Sequence, residues 1–216
     1  SLLAQYPQAG LSCSPSSFHD PATWLSWHLG AGMAEAPRYF SPVQLVELER
    51  RKRVFIPTNT TIFHRQRMLD AGGIRPELKW HADTFLVHAV AFRHGVCYNP
   101  QPLAHVNVEP RSYFQAGRKN EPAHRAICER IMELLTSPQF EHQGKLMSQA
   151  GTFYRFEGCI FSVLWRNKKY RSLITWPFLR KHLWYTLQVK LKPHTPAWIG
   201  NLYLKLAGYR AKPPEN

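Results

Sequence analysis

The pattern of apolar residues predicts an α/β fold over residues 1–118, followed by a mainly helical region over 119–216. Between Ile56 and Glu109 a helical pattern lies between strand-like runs, the alternation expected of an α/β unit. Beyond Arg111 apolar residues recur at helical spacing. The chain has 216 residues, 44% of them hydrophobic, which is enough for a core of one domain with an appendage.

Taken in order, the chain opens with a strand-like centre, Gly10-Leu11-Ser12-Cys13, bounded by Pro7 and Pro15. Asp20-Pro21 reads as a helix start, Asp as cap and Pro at the first helical position, with Trp24, Leu25 and Trp27 following on that helix. Core packing is the expectation for these tryptophans, with stacking on an acceptor sugar as the functional alternative. Ser41-Pro42-Val43-Gln44 is a capping box opening a second helix. Arg50-Arg51-Lys52-Arg53 closes it, either as a solvated helix end or as a site of attraction for diphosphate or lipid.

Ile56 to Arg65 reads as a strand, and a short helical turn follows and closes at Ala71-Gly72-Gly73. Phe85, Leu86, Ala89, Val90 and Phe92 then mark a helix from Asp83 towards His94, with Gly95 as its C-terminal stop. Asp83 sits at the positive end of that helix, where a carboxylate is favoured. By position alone it is a helix cap. Val96 to Pro100 and Leu103 to Glu109 are strand-like.

Asn120-Glu121-Pro122 starts a helix bearing Ile127, Ile131, Leu134 and Leu135, and Ser137-Pro138 ends it. Gln143 to Trp165 is helical, with Gly151 and Gly158 weakening its continuity. Lys168 to Lys192 interleaves Tyr170, Trp176, Phe178, Trp184 and Tyr185 with Lys169, Arg171, Arg180, Lys181, Lys190 and Lys192. Pro177 is expected to divide this segment. Two readings stand: an interfacial membrane helix, or a helix packed on the first region with a basic outer face. The tail from Lys205 is expected to fray.

The order of Thr60-Thr61-Ile62-Phe63-His64-Arg65, Ala71-Gly72-Gly73-Ile74, Trp80-His81-Ala82-Asp83 and Gly95-Val96-Cys97-Tyr98-Asn99-Pro100-Gln101-Pro102-Leu103-Ala104 resembles the second half of a family 2 glycosyltransferase. The resemblance covers about residues 1–119. It implies a partial GT-A-like mixed sheet with flanking helices, the acceptor-side half of a catalytic domain. It implies an inverting transfer of a sugar from a nucleotide-sugar to a carbohydrate or lipid-linked acceptor, with Asp83 as general base. By the same resemblance Thr60, Trp80 and His81 are acceptor-side residues. For Thr60 and Trp80 the bland reading is strand and core packing, and for His81 a surface histidine beside a helix cap. A divalent metal, Mg or Mn, is implied for the complete enzyme, with Glu109 offering an oxygen.

Several departures accompany the likeness. Only the second of an expected acidic pair is present, in Ala82-Asp83, and Asn107-Val108-Glu109 stands where relatives carry Arg-x-His. No Asp-x-Asp occurs. The resemblance thus implies a chain that begins partway through the catalytic domain, lacks the nucleotide-binding half and is inactive alone.

The 28 Lys and Arg against 14 Asp and Glu, formally +14, predict anionic partners. These are nucleoside diphosphates or an anionic membrane surface; no nucleic-acid motif accompanies the charge, so no nucleic acid is expected. No apolar run is long enough to span a bilayer. The expected location is cytoplasmic, peripheral at the inner face of the membrane, and a non-catalytic membrane-peripheral module is the alternative function. Cys13, Cys97, Cys128 and Cys159 are widely spaced and predict small buried thiols rather than a zinc site. His81, His88, His94 and His105 lack the spacing of a shared metal site.

Overall fold

The computed structural model describes residues 1–20, 25–108 and 120–191. It is an α/β structure with two small mixed sheets and a helical C-terminal layer. Strand β1 (Leu11–Cys13) runs through Ser14-Pro15 into β2 (Ser16–Asp20), so one stretch of chain serves both sheets. In the first sheet β1 pairs antiparallel with β5 (Ile62–Phe63) and parallel with β6 (Val96–Tyr98), which pairs antiparallel with β4 (Arg38–Phe40). In the second, β2 pairs antiparallel with β3 (Leu25–Leu29) and parallel with β7 (Ala104–Asn107). Hydrogen bonds from Asn99 N to Cys13 O and from Leu103 N to Pro15 O carry the parallel pairing across the bend.

The helix predicted after Asp20 is not formed where Leu25 and Trp27 lie. They belong to β3, in register Asp20↔Leu25 and Phe18↔Trp27. Leu25, Trp27 and Leu29 alternate with Ser26 and His28, a period of two, and Trp27 stacks on Phe18 at 5.9 Å. Pro21 and Trp24 lie outside the described residues. The Ile56–Arg65 strand is also cut short. Thr58–Thr60 form a 3₁₀ turn, where the Thr61 hydroxyl donates to Pro57 O and competes with ladder pairing.

The helices match their signals more closely. A short α1 (Leu2–Gln5) opens the chain. Helix α2 (Pro42–Arg51) starts at the Ser41–Gln44 capping box, with both reciprocal bonds made. Helix α3 (Arg65–Asp70) stops before Gly72 and Gly73, both at positive φ. Helix α4 (Ala82–His94) is buried almost all round, from Phe85 through Phe92. It lies between β1 on one side and α2 and α6 (Glu141–Ala150) on the other. Gly10 makes the close approach possible: a Cβ there would sit 2.5 Å from Val90 Cγ1.

Helix α5 (Glu121–Leu135) is capped by Asn120 and packs on α7 (Gly158–Arg166). Between α6 and α7 the expected break is present: Gly151 adopts φ +71°, and a 3₁₀ segment covers Thr152–Phe156. A Cβ on Gly151 would lie 2.5 Å from Phe178 N, so helix α8 (Trp176–Leu191) seats directly on that glycine. Pro177 does not divide the C-terminal segment. It lies in the first turn of α8, where its missing N–H costs nothing. The division comes earlier, between a 3₁₀ segment at Lys168–Leu173 and Trp176. The tail from Lys205 lies outside the described residues.

One hydrophobic cluster spans both predicted regions, from Leu11 and Val90 to Ile131, Phe153 and Phe178. Cys13, Cys97 and Cys128 are buried free thiols, and burial pushes all three up. Among the described residues no helix is long and apolar enough to cross a membrane.

Two polar features sit inside this core. Lys181 of α8, 3% exposed, donates to Glu49 of α2, 1% exposed, at 2.8 Å, and to Ala150 O at 2.9 Å. Burial pushes the Lys181 ammonium down, and the Glu49 carboxylate opposes that shift. His88 donates from Nδ1 to Thr84 O at 2.7 Å, and its Nε2 has no partner among the described residues. Burial lowers its pKa to about 4; the Thr84 carbonyl opposes this, and the charges of Arg155 and Lys181 add to it.

Two outcomes are expected. Lys181→Met strands the Glu49 carboxylate and costs about 3–5 kcal/mol in urea unfolding, whereas Lys181→Met with Glu49→Leu recovers most of that loss. An additive double variant would show that the pair is not coupled. Between pH 6.5 and about 4 the unfolded chain binds a proton at His88 that the folded chain refuses. Stability therefore falls as pH drops through that window, by roughly 3 kcal/mol from this residue. In His88→Asn the decline over the same window is shallower by that amount; an unchanged pH profile would refute the assignment.

Candidate functional site

The first turn of α4 meets the bend between β1 and β2 at the 3₁₀ turn Thr58–Thr60. That turn is pinned to the bend by side chains. Thr60 Oγ1 donates to Ser14 O at 2.5 Å, and Ser16 Oγ donates to Asn59 Oδ1 at 2.8 Å. From it the Thr58 hydroxyl donates to Asp83 Oδ2 at 3.0 Å. The Thr84 N–H donates to the other carboxylate oxygen at 2.6 Å, and the Thr84 hydroxyl adds a longer bond of 3.3 Å. Asp83 is exposed, one residue into α4, rather than at the cap, which is His81.

Each carboxylate oxygen has two acceptor directions. These three contacts hold the group in one orientation and leave one acceptor direction, on Oδ2, unfilled. An exposed, oriented carboxylate can receive a proton from a hydroxyl brought against it.

The remaining predicted residues are placed differently. Thr60 lies in the same turn, but its hydroxyl donates to backbone carbonyls. Trp80 is half-buried, its ring 6.2 Å from that of His81 and 6.0 Å, edge-on, from that of His124. His81 is not a surface residue. It is buried, its Nε2 3.0 Å from Nε2 of His124, with Phe156 edge-on at 5.6 Å. His124 Nε2 also lies 3.2 Å from Phe156 O. A carbonyl only accepts, so His124 Nε2 carries the hydrogen. This pair ties the entry to α4 to helix α5.

Glu109 lies outside the described residues. Among those described, no three His, Cys, Asp or Glu side chains converge as a metal site. Beside Asp83 the other oxygens are hydroxyls and an amide, so the described residues bring a single carboxylate to this place.

No family model, no curated protein and no solved structure matches the chain.

Thr58, Asn59 and Ser16 went unnoticed in the sequence, although the runs Thr58-Asn59-Thr60-Thr61 and Ser14-Pro15-Ser16-Ser17 are dense in small polar side chains. The geometry also exposes strain just upstream of Asp83. Lys79 adopts φ +47° and ψ −121°, a conformation that suits glycine, between Leu78 and Trp80. Nothing in the composition of Glu77-Leu78-Lys79-Trp80 signals it. Lys79→Gly is expected to raise stability by about 1 kcal/mol, because the relieved strain exceeds the added entropy of the unfolded chain. A lowered urea midpoint would contradict the strain assignment.

Proposed function

We propose that this chain is the acceptor-side part of an inverting family 2 glycosyltransferase of GT-A-like fold, with Asp83 as its general base. The observation that supports this most is the oriented, exposed Asp83 carboxylate at the first turn of a buried helix. The reading also rests on the ordered resemblance from Thr60 to Ala104.

In the proposed step, Asp83 takes the proton of an acceptor hydroxyl as that oxygen attacks the anomeric carbon of the donor. A new glycosidic bond forms, the bond from the anomeric carbon to the diphosphate breaks, and the nucleoside diphosphate leaves with the electron pair. Thr58 and Thr84 hold the carboxylate so that it does not rotate away from the incoming hydroxyl. A part of the protein carrying the nucleotide site would bind the donor.

The test uses the complete natural protein, assayed for sugar release from UDP-, GDP- and dTDP-sugars and for transfer to the hydroxyls of carbohydrate and lipid-linked carbohydrate acceptors. Asp83→Asn keeps size and hydrogen bonding but removes the base, so turnover is expected to fall by about 10²–10⁴ with donor binding nearly intact. Thr58→Val is expected to lower kcat more modestly. Wild-type turnover in Asp83→Asn would sink the assignment.

A further inference from the structure

Helix α8 reads inside out. At 100° per residue, Phe178, Lys181, His182 and Tyr185 share one side. They face inward: Phe178 is against Phe153, His182 stacks on Phe161 at 5.3 Å, Lys181 meets Glu49, and Tyr185 donates to Glu157 at 3.1 Å. The opposite side, turned to solvent, carries Trp176 (74% exposed), Leu183 (61%) and Leu187 (43%), with Trp184 (51%) on its flank. A helix packed only against its own domain would place its lysine outward and its tryptophan inward.

Most of the cations near this apolar face come from the end of α2, a distant part of the chain. An open hollow of about 750 Å³ between α8 and the end of α2 is lined by Arg51, Lys52, Arg53 and Arg180, alongside Trp176 and Leu187. Among the described residues no carboxylate lines it. Arg180 donates to Arg50 O at 2.7 Å, so the rim of the face is joined to the last turn of α2. With Lys181 locked on Glu49, the outward side of α8 is fixed relative to the basic turn.

We propose that this face docks flat on an anionic phospholipid monolayer. Trp176, Leu183, Trp184 and Leu187 enter the headgroup–acyl boundary, and Arg51, Lys52, Arg53 and Arg180 meet lipid phosphates. The charge pattern selects this occupant. A second copy on a two-fold axis would bring the two sets of cations together. A nucleic acid would satisfy the cations and stack on the tryptophans, but it offers nothing to Leu183 and Leu187, whereas acyl chains do. The proposal does not depend on Asp83 being a base.

The test is co-sedimentation of the whole chain with phosphatidylcholine vesicles, with and without phosphatidylglycerol. Binding is expected only with phosphatidylglycerol present, weakening as salt rises. Leu183→Ser with Leu187→Ser is expected to weaken it at least tenfold, as is Arg51→Gln with Arg180→Gln. All four positions are at the surface, so far-ultraviolet circular dichroism and the urea midpoint stay at wild-type values. Brominated acyl chains are expected to quench tryptophan fluorescence in the wild type. Absence of binding, equal binding to neutral vesicles, or wild-type binding by both variants would overturn the proposal. So would tighter binding to single-stranded DNA that the same arginine variants abolish, or a dimer in solution that the leucine variants dissolve.

Discussion

Helix α4 is apolar on nearly every side, and the other elements are arranged to cover it. A helix of that kind has no solvent face, so it needs a sheet on one side and helices on the other. Strand β1 supplies the first, approaching closely because residue 10 is glycine. Helices α2 and α6 supply the second. The C-terminal helices are therefore part of the core that buries α4, and the cluster runs without a break from Leu11 to Phe178. Only the ends of α4 reach solvent, and its first turn carries Asp83 to the surface.

Polar groups inside such a core must be matched, and where they are matched they set the arrangement of the helices. The Lys181–Glu49 pair joins α8 to α2 at a place where any slippage would leave a charge buried alone. An apolar pair of the same volume could stabilise as well, but it would tolerate rotation of α8. With the ammonium required inward, Trp176, Leu183 and Leu187 are directed outward, beside the basic end of α2. The same helix thus closes the core and presents a surface of mixed rings and cations.

At the first turn of α4 the arrangement relies on short polar residues. Ser14, Ser16, Asn59 and Thr60 fasten a three-residue turn to the bend between the two sheets, and that turn brings the Thr58 hydroxyl to Asp83. The buried His81–His124 pair holds the approach to α4 from behind. Position, orientation and exposure of one carboxylate are in this way set by groups from four separate parts of the chain.

The sequence by itself determined the helices, because their signals are local. The Ser41–Gln44 box, the Asn120 cap, Gly95, Gly151 and the apolar period of α4 act within a few residues of where they are written. It also placed Asp83 at the start of that helix, though position alone read it as a cap. What the tertiary structure decided is everything set by distant partners. Leu25 and Trp27 became a strand because Phe18 and the ladder of β2 are beside them, overriding an Asp-Pro helix start. His81 turned inward because His124, 43 residues on, accepts its company. Thr58 gained its place through a turn held by Ser14 and Ser16. Lys181 went inside because the Glu49 carboxylate, 132 residues away, is there to compensate its charge. Hydrogen bonds and ion pairs stabilise by exact placement, and placement across such separations is a property of the packed fold rather than of any window of sequence.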